Sequence, residues 1–148
     1  MAAGEQVGED RVSTVFLLRE DGSALLQLRD VKPGLRHSGM WVPPGGHREA
    51  NEDDEACARR EFHEETGYQC ATLHLLTSFR DESDCDPYEL TVYWTDYDGQ
   101  QELHCGEGQK IEFVTQGNAD PMPEYLTDIW DRVLQVRAAT RAGGDGRR

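Results

Sequence analysis

The stretch GHREANEDDEACARREFHEETGY, residues 46–68, decides how this chain is read. Its second half has a helical pattern from about Asp53 to Thr66, with Asn51 or Asp53 as the N-cap and Gly67 where a C-cap glycine belongs. Within that helix Glu61, Glu64 and Glu65 stand at i, i+3 and i+4, which puts all three carboxylates on one face. Like charges that close repel, and an acidic face wetted by solvent is the plainer explanation of such a cluster. The sharper one is a divalent cation, and oxygen-only ligands favour Mg²⁺, Mn²⁺ or Ca²⁺ over zinc.

Outward from the helix the chain alternates strands and turns. Val12–Arg19 reads as a strand with a fully buried middle at Val15-Phe16-Leu17-Leu18. A turn at Glu20–Ser23 and a second strand, Ala24–Arg29, make a hairpin. Residues 30–40 form a loop, and Met40–Val42 is a short strand stopped by Pro43-Pro44-Gly45-Gly46, after which a polar loop is expected. Further strands are expected at about 70–80, 88–97 and 110–115. A last helix runs from about Glu124 to Ala138, with Leu126, Ile129, Trp130, Val133, Leu134 and Arg137 at helical spacing. The sum is an α/β chain in which helices cover a mixed sheet, one domain over 12–138 with tails at 1–11 and 139–148.

The 148 residues carry 29 Asp+Glu against 15 Lys+Arg, a formal net charge of -14. That balance argues against broad electrostatic binding to polymeric nucleic acid or an anionic membrane. It leaves room for a small phosphate ester held through a cation. No apolar run is long enough to span a bilayer, and the first residues have no apolar stretch of the kind a signal peptide needs. Cys57, Cys70, Cys85 and Cys105 are scattered, with no metal-ligand spacing. They read as reduced thiols of a cytoplasmic protein.

Residues 46–68 resemble the Nudix hydrolase signature of MutT-like proteins: Gly, five residues, Glu, seven residues, Arg-Glu-apolar-x-Glu-Glu-x-Gly-apolar. Gly46, Glu52, Arg60, Glu61, Phe62, Glu64, Glu65, Gly67 and Tyr68 fill every specified position. One departure is Pro43, where the family often has a plain apolar residue. The resemblance implies a Nudix-type α/β/α sandwich with a mixed sheet, in which a loop–helix–loop presents metal to a diphosphate bridge. Glu61, Glu64 and Glu65 would be the acidic ligands, with the Gly45 carbonyl as a further one. Arg60 would pair with Glu52 and fix a catalytic glutamate. Gly46, Glu52 and Gly67 would support the site. The general base would be Glu64 or Glu65. A later acid often joins the metal site, and Glu107, between Gly106 and Gly108, is the best placed, with Glu102 and Glu112 as rivals.

The implied activity is hydrolysis, dependent on Mg²⁺ or Mn²⁺, of a phosphoanhydride in a nucleoside diphosphate linked to another group. A nucleoside triphosphate cut to monophosphate and pyrophosphate leads. A nucleoside-diphosphate sugar or similar conjugate is the alternative. From another class, a non-catalytic nucleotide-binding module is expected to have lost a metal-binding glutamate, and an isomerase would need further catalytic groups. Arg29, Arg36 and His37 could meet phosphates, or be ordinary surface charge. Trp41 could stack on a base, or pack under the metal loop. Tyr88, Tyr93 and Trp94 could line a pocket but read better as core, Trp130 reads as packing, and His47, His63, His74 and His104 have no assigned role. A homodimer stays open.

Overall fold

The computed structural model describes residues 10–82 and 87–146. Most of the expected N-terminal tail, Cys85 and the last two residues lie outside these. In chain order the elements are β1 (Arg11–Leu18), β2 (Ala24–Leu28), β3 (Trp41–Val42), β4 (Gly45–His47), α1 (Asp54–Thr66), β5 (His74–Asp81), β6 (Tyr88–Asp96), β7 (Lys110–Val114), a 3-10 turn (Gln116–Asn118) and α2 (Glu124–Gly146).

The strands form one mixed sheet in the order β3-β2-β1-β6-β5, with β4 also paired to β1 and β7 to β2. β1 runs parallel to β6 along its whole length, from Arg11 opposite Glu89 to Leu18 opposite Asp96. The expected hairpin is present, joined through Leu18 opposite Ala24. Its turn is held by the Asp21 carboxylate, which accepts from the Ser23 N–H and hydroxyl at 2.9 and 2.7 Å.

The unbroken apolar run in β1 follows from burial on both faces of the sheet. Phe16 and Leu18 face one core with Leu26, Val92, Trp94, Trp130 and Val133, on the side covered by α2. Val15 and Leu17 face the other with Leu25, Ala58, Phe62 and Tyr93, on the side covered by α1. Side chains alternate across a strand, so one run of sequence serves both layers. This is the α/β/α sandwich.

α1 is capped as its sequence predicts. The Asp53 carboxylate accepts from the Ala56 N–H, and Gly67, at φ 79°, donates its N–H to the His63 carbonyl. α2 is tied down by the buried Arg137, which donates to the Arg19 carbonyl and the Asp96 carboxylate at 3.0 and 2.9 Å. Three boundaries differ from the sequence reading. β5 starts at His74 rather than about residue 70. α2 continues to Gly146, so most of the expected C-terminal tail is helix. Residues 45–47, expected as loop, form β4. Among the described residues no helix is long and apolar enough to cross a membrane.

Candidate active site

The site is assembled from both ends of α1. At the N-terminal end, β4 lies on β1, with Thr14 opposite Gly45 and Ser13 opposite Gly46. The Thr14 hydroxyl points at the carbonyls of Pro43 and Pro44, at 2.9 and 2.8 Å, and so anchors the turn that delivers the two glycines. A side chain on Gly45 would sit 2.1 Å from the Ser13 carbonyl oxygen, and one on Gly46 2.3 Å from the Glu61 carboxylate. Only glycine lets the turn approach the strand and the glutamate this closely.

Past the C-terminal end of α1, the segment 104–108 docks by backbone hydrogen bonds, His104 N–H to the Thr66 carbonyl (2.9 Å) and Gly106 N–H to the Glu65 carbonyl (2.8 Å). A Cβ on Gly106 would meet the Glu64 carbonyl at 2.3 Å. This docking brings Glu107 beside Glu65, forty-two residues away in sequence. Glu102 is exposed, and Glu112 is paired with Lys110 at 3.3 Å.

Glu61, Glu65 and Glu107 border one cavity of about 380 Å³, together with Gly45, Gly46, Gln27, Arg29 and Arg36. Glu65 is buried, and its carboxylate accepts from the Gln27 amide at 3.2 Å. The same amide nitrogen is 3.1 Å from the Glu107 carbonyl oxygen. Burial pushes the Glu65 carboxyl up to about 8, helped by the charges of Glu107 and Glu61, while a Gly45 backbone hydrogen bond and Arg29 pull the other way. Burial also raises Glu61, against the Arg60 hydrogen bond.

Arg60 stands behind these acids. Its guanidinium grips Glu52 at two points, 3.0 and 2.6 Å, and reaches Glu61 at 3.0 Å, both Glu64 oxygens at 3.4 Å and the His47 carbonyl at 3.1 Å. The two-point grip holds the Glu52 carboxyl down at about 2, and the same bonds raise the basicity of Arg60. Glu64 is more than half exposed and does not border the cavity.

As the side chains stand, no three acidic, histidine or cysteine groups among the described residues converge on a single point. The donor chemistry nonetheless fits a hard divalent cation. Three carboxylates and the Gly45 backbone border one cavity, and every such donor is oxygen.

Arg29, Arg36 and His37 all line the cavity, and His37 Nε2 lies 3.1 Å from the Tyr125 hydroxyl. Trp41 does not reach it. Trp41 is buried in the core beneath α2, which is the packing alternative, because β3 pairs with β2 and turns that ring inward. Tyr88 is both core and cavity wall, with the Arg36 guanidinium 4.1 Å above its ring. Gln27 was not predicted. Its signal is a polar residue inside the buried run ALLQL.

The NUDIX domain family model matches residues 9–133. The chain is 41% identical over 73 residues to the asymmetrical bis(5'-nucleosyl)-tetraphosphatase of Mus musculus, a match covering 47% of this chain and 46% of that protein. It spans about half the length, or less, of the curated relatives it matches. Among solved structures it is similar to the MutT protein of Bacillus halodurans, with a TM-score of 0.68 and 26% identity, covering 84% of this chain and 82% of that one. The fold is also shared with an Ap4A hydrolase of C. elegans, at a TM-score of 0.73 and 17% identity, over 88% and 98% of the two chains.

Proposed function

The chain belongs to the Nudix family, and we propose that it is a hydrolase of phosphoanhydride bonds in nucleoside diphosphates linked to a further group, dependent on Mg²⁺ or Mn²⁺. The observation that carries this reading is the cavity lined by Glu61, Glu65 and Glu107 together with Arg29 and Arg36. Carboxylates able to hold a cation and guanidiniums able to hold phosphate border the same space.

Glu61, Glu65 and Glu107, with the Gly45 carbonyl, would hold the metal, and Glu64 sits at the outer edge of the same face. The ion would supply charge neutralisation at the phosphate oxygens and polarisation of the attacking water. Phosphoryl and nucleotidyl transfer depend mainly on positioning and electrostatics. The two guanidiniums would orient the phosphates by charge-assisted hydrogen bonds. Arg60, fixed by Glu52, holds Glu61 and Glu64 in place from behind. Glu64 or Glu65 would accept the proton of the attacking water, and burial in the cavity favours Glu65.

The leading substrate is a nucleoside triphosphate, cleaved to monophosphate and pyrophosphate. The second reading is a conjugate such as a nucleoside-diphosphate sugar or a dinucleoside tetraphosphate, favoured by likeness to the mouse tetraphosphatase. A panel of triphosphates and conjugates, incubated with Mg²⁺, separates them. Phosphate released through added pyrophosphatase alone supports the triphosphate reading. Phosphate released from a conjugate only through alkaline phosphatase, whose own action on the terminally capped conjugate is nil, supports the conjugate reading. Silence in both Mg²⁺ and Mn²⁺ would overturn the hydrolase reading. A cytoplasmic location goes with this function and with the uncrosslinked Cys57, Cys70 and Cys105.

A further inference from the structure

Gln27 is the one polar side chain in β2, whose sequence is ALLQL. Its backbone is fixed from both sides, opposite Val42 of β3 and Ile111 of β7. Alternation along the strand puts it on the face of Leu25, the face that α1 covers. The residue is buried, only 3% exposed. A buried amide costs free energy unless its donors are used, and an NH₂ group has two. Here the amide nitrogen donates to the Glu65 carboxylate at 3.2 Å and to the Glu107 carbonyl at 3.1 Å.

Those two acceptors come from different parts of the chain. Glu65 is in the last turn of α1, and Glu107 is on the segment that docks past the end of that helix. Directly after Glu107 the chain folds onto β2. A Cβ on Gly108 would meet the Leu28 carbonyl oxygen at 2.8 Å and the Gln27 Cγ at 3.0 Å, and the Gln109 N–H donates to that same carbonyl at 2.8 Å. One side chain therefore ties the carboxylate of one acid to the backbone that carries another, and both acids border the same cavity.

An amide makes this tie without charge. Arg60 grips Glu52 with a full positive charge. A cation at position 27 would compensate Glu65 and compete with a metal ion, and a carboxylate there would repel it. A neutral donor orients the carboxylate and leaves its charge for a divalent cation.

We propose that Gln27 is a positioning residue whose amide clamps Glu65 and the Glu107 segment in one arrangement, on which metal affinity and turnover both depend. The proposal rests on the metal-dependent hydrolase reading above and adds to it a residue outside the acidic helix.

The test is Mn²⁺ binding to the full chain without substrate, followed by electron paramagnetic resonance of the free ion. Gln27→Met keeps the length of the side chain and removes both N–H donors. Gln27→Asn keeps the amide on a stem one methylene shorter. Both should bind Mn²⁺ roughly ten- to a hundredfold more weakly than wild type. Glu107→Gln should weaken binding about tenfold in the wild-type chain and less than about threefold in Gln27→Met, where the segment has already lost its tie. In Gln27→Met the His104 and Gly106 amides should exchange about five- to tenfold faster, while the interior amides of α1 keep their protection. At saturating Mn²⁺, kcat should fall about tenfold with KM within about twofold. Far-ultraviolet circular dichroism checks the fold, and Gln27→Asn carries the comparison if Gln27→Met unfolds. Wild-type Mn²⁺ affinity in the folded variants, or an additive loss in the double variant, overturns the clamp and leaves the hydrolase reading standing. A wild-type chain that binds no Mn²⁺ and turns over no substrate overturns both.

Discussion

Replacing Glu65 with glutamine should stabilise the metal-free chain at neutral pH and abolish its response to divalent cations. Its carboxyl is raised from 4.5 to about 8 by burial and by the charges of Glu107 and Glu61. In the folded chain it keeps its proton to higher pH than in the unfolded chain. Below about pH 4.5 both states are protonated and nothing is lost. As pH rises the unfolded chain ionises first, so stability falls until the folded group also ionises near pH 8. At ~1.36 kcal/mol per pH unit this loss is at most about 5 kcal/mol, or on the order of 10 °C in Tm for a chain of this size. Glutamine keeps the oxygen that accepts from the Gln27 amide and removes the ionisation. Thermal melts in EDTA from pH 5 to 8.5 should show wild-type Tm declining relative to Glu65→Gln. Added Mg²⁺ should recover wild-type Tm, more at pH 8 than at pH 5.5, and do little for the variant. Parallel melting curves for the two proteins across that range, with equal responses to Mg²⁺, would refute the reasoning.

Three further outcomes are expected. Gly46→Ala places a methyl 2.3 Å from the Glu61 carboxylate, and should weaken Mg²⁺ binding at least about tenfold in titrations while the far-ultraviolet circular dichroism stays native. Glu52→Gln removes the charge from the two-point grip on Arg60, so kcat should fall more than tenfold with a stability loss of only about 1–2 kcal/mol by denaturant melts. That grip contributes fully above about pH 4.5 and is lost as pH falls towards 2, so the Glu52→Gln deficit should shrink in acid. Burial pushes the Cys57 and Cys70 thiols up to about 11, so peptide mapping after iodoacetamide at pH 8 should find both unmodified and the exposed Cys105 alkylated.

How legible the molecule was depends on the range of the interactions involved. α1 was readable because its determinants are local: an Asp cap, a left-handed Gly67 and glutamates at helical spacing. The β1–β2 hairpin and the doubly buried β1 were readable for the same reason. β4 was not, because Gly45-Gly46-His47 has no strand propensity and pairs with β1 only through the close backbone approach that glycine allows. The length of α2 was hidden by the glycines after Ala142, which argue against helix locally.

Within the site, spacing put Glu61, Glu64 and Glu65 on one helical face, and the resemblance rather than the spacing pointed to metal. The sequence preferred Glu107 to Glu102 and Glu112 for its flanking glycines, and how it reaches the cavity, by docking of Gly106 on the end of α1, is a contact between segments distant in sequence. Glu64 shares the helical face of its neighbours yet is more than half exposed and does not border the cavity. Aromatic residues were the least decidable. Trp41 and Tyr88 both join the core, and only the packing of the sheet brings Tyr88 to the cavity wall as well.

The most direct test of the central claim is a ³¹P NMR time course of a nucleoside triphosphate with the wild-type chain and excess Mg²⁺. The account predicts growth of monophosphate and pyrophosphate resonances, arrest on adding EDTA, and no growth with Glu61→Gln. Release of orthophosphate from the triphosphate end, or turnover that continues in EDTA or in Glu61→Gln, would contradict it.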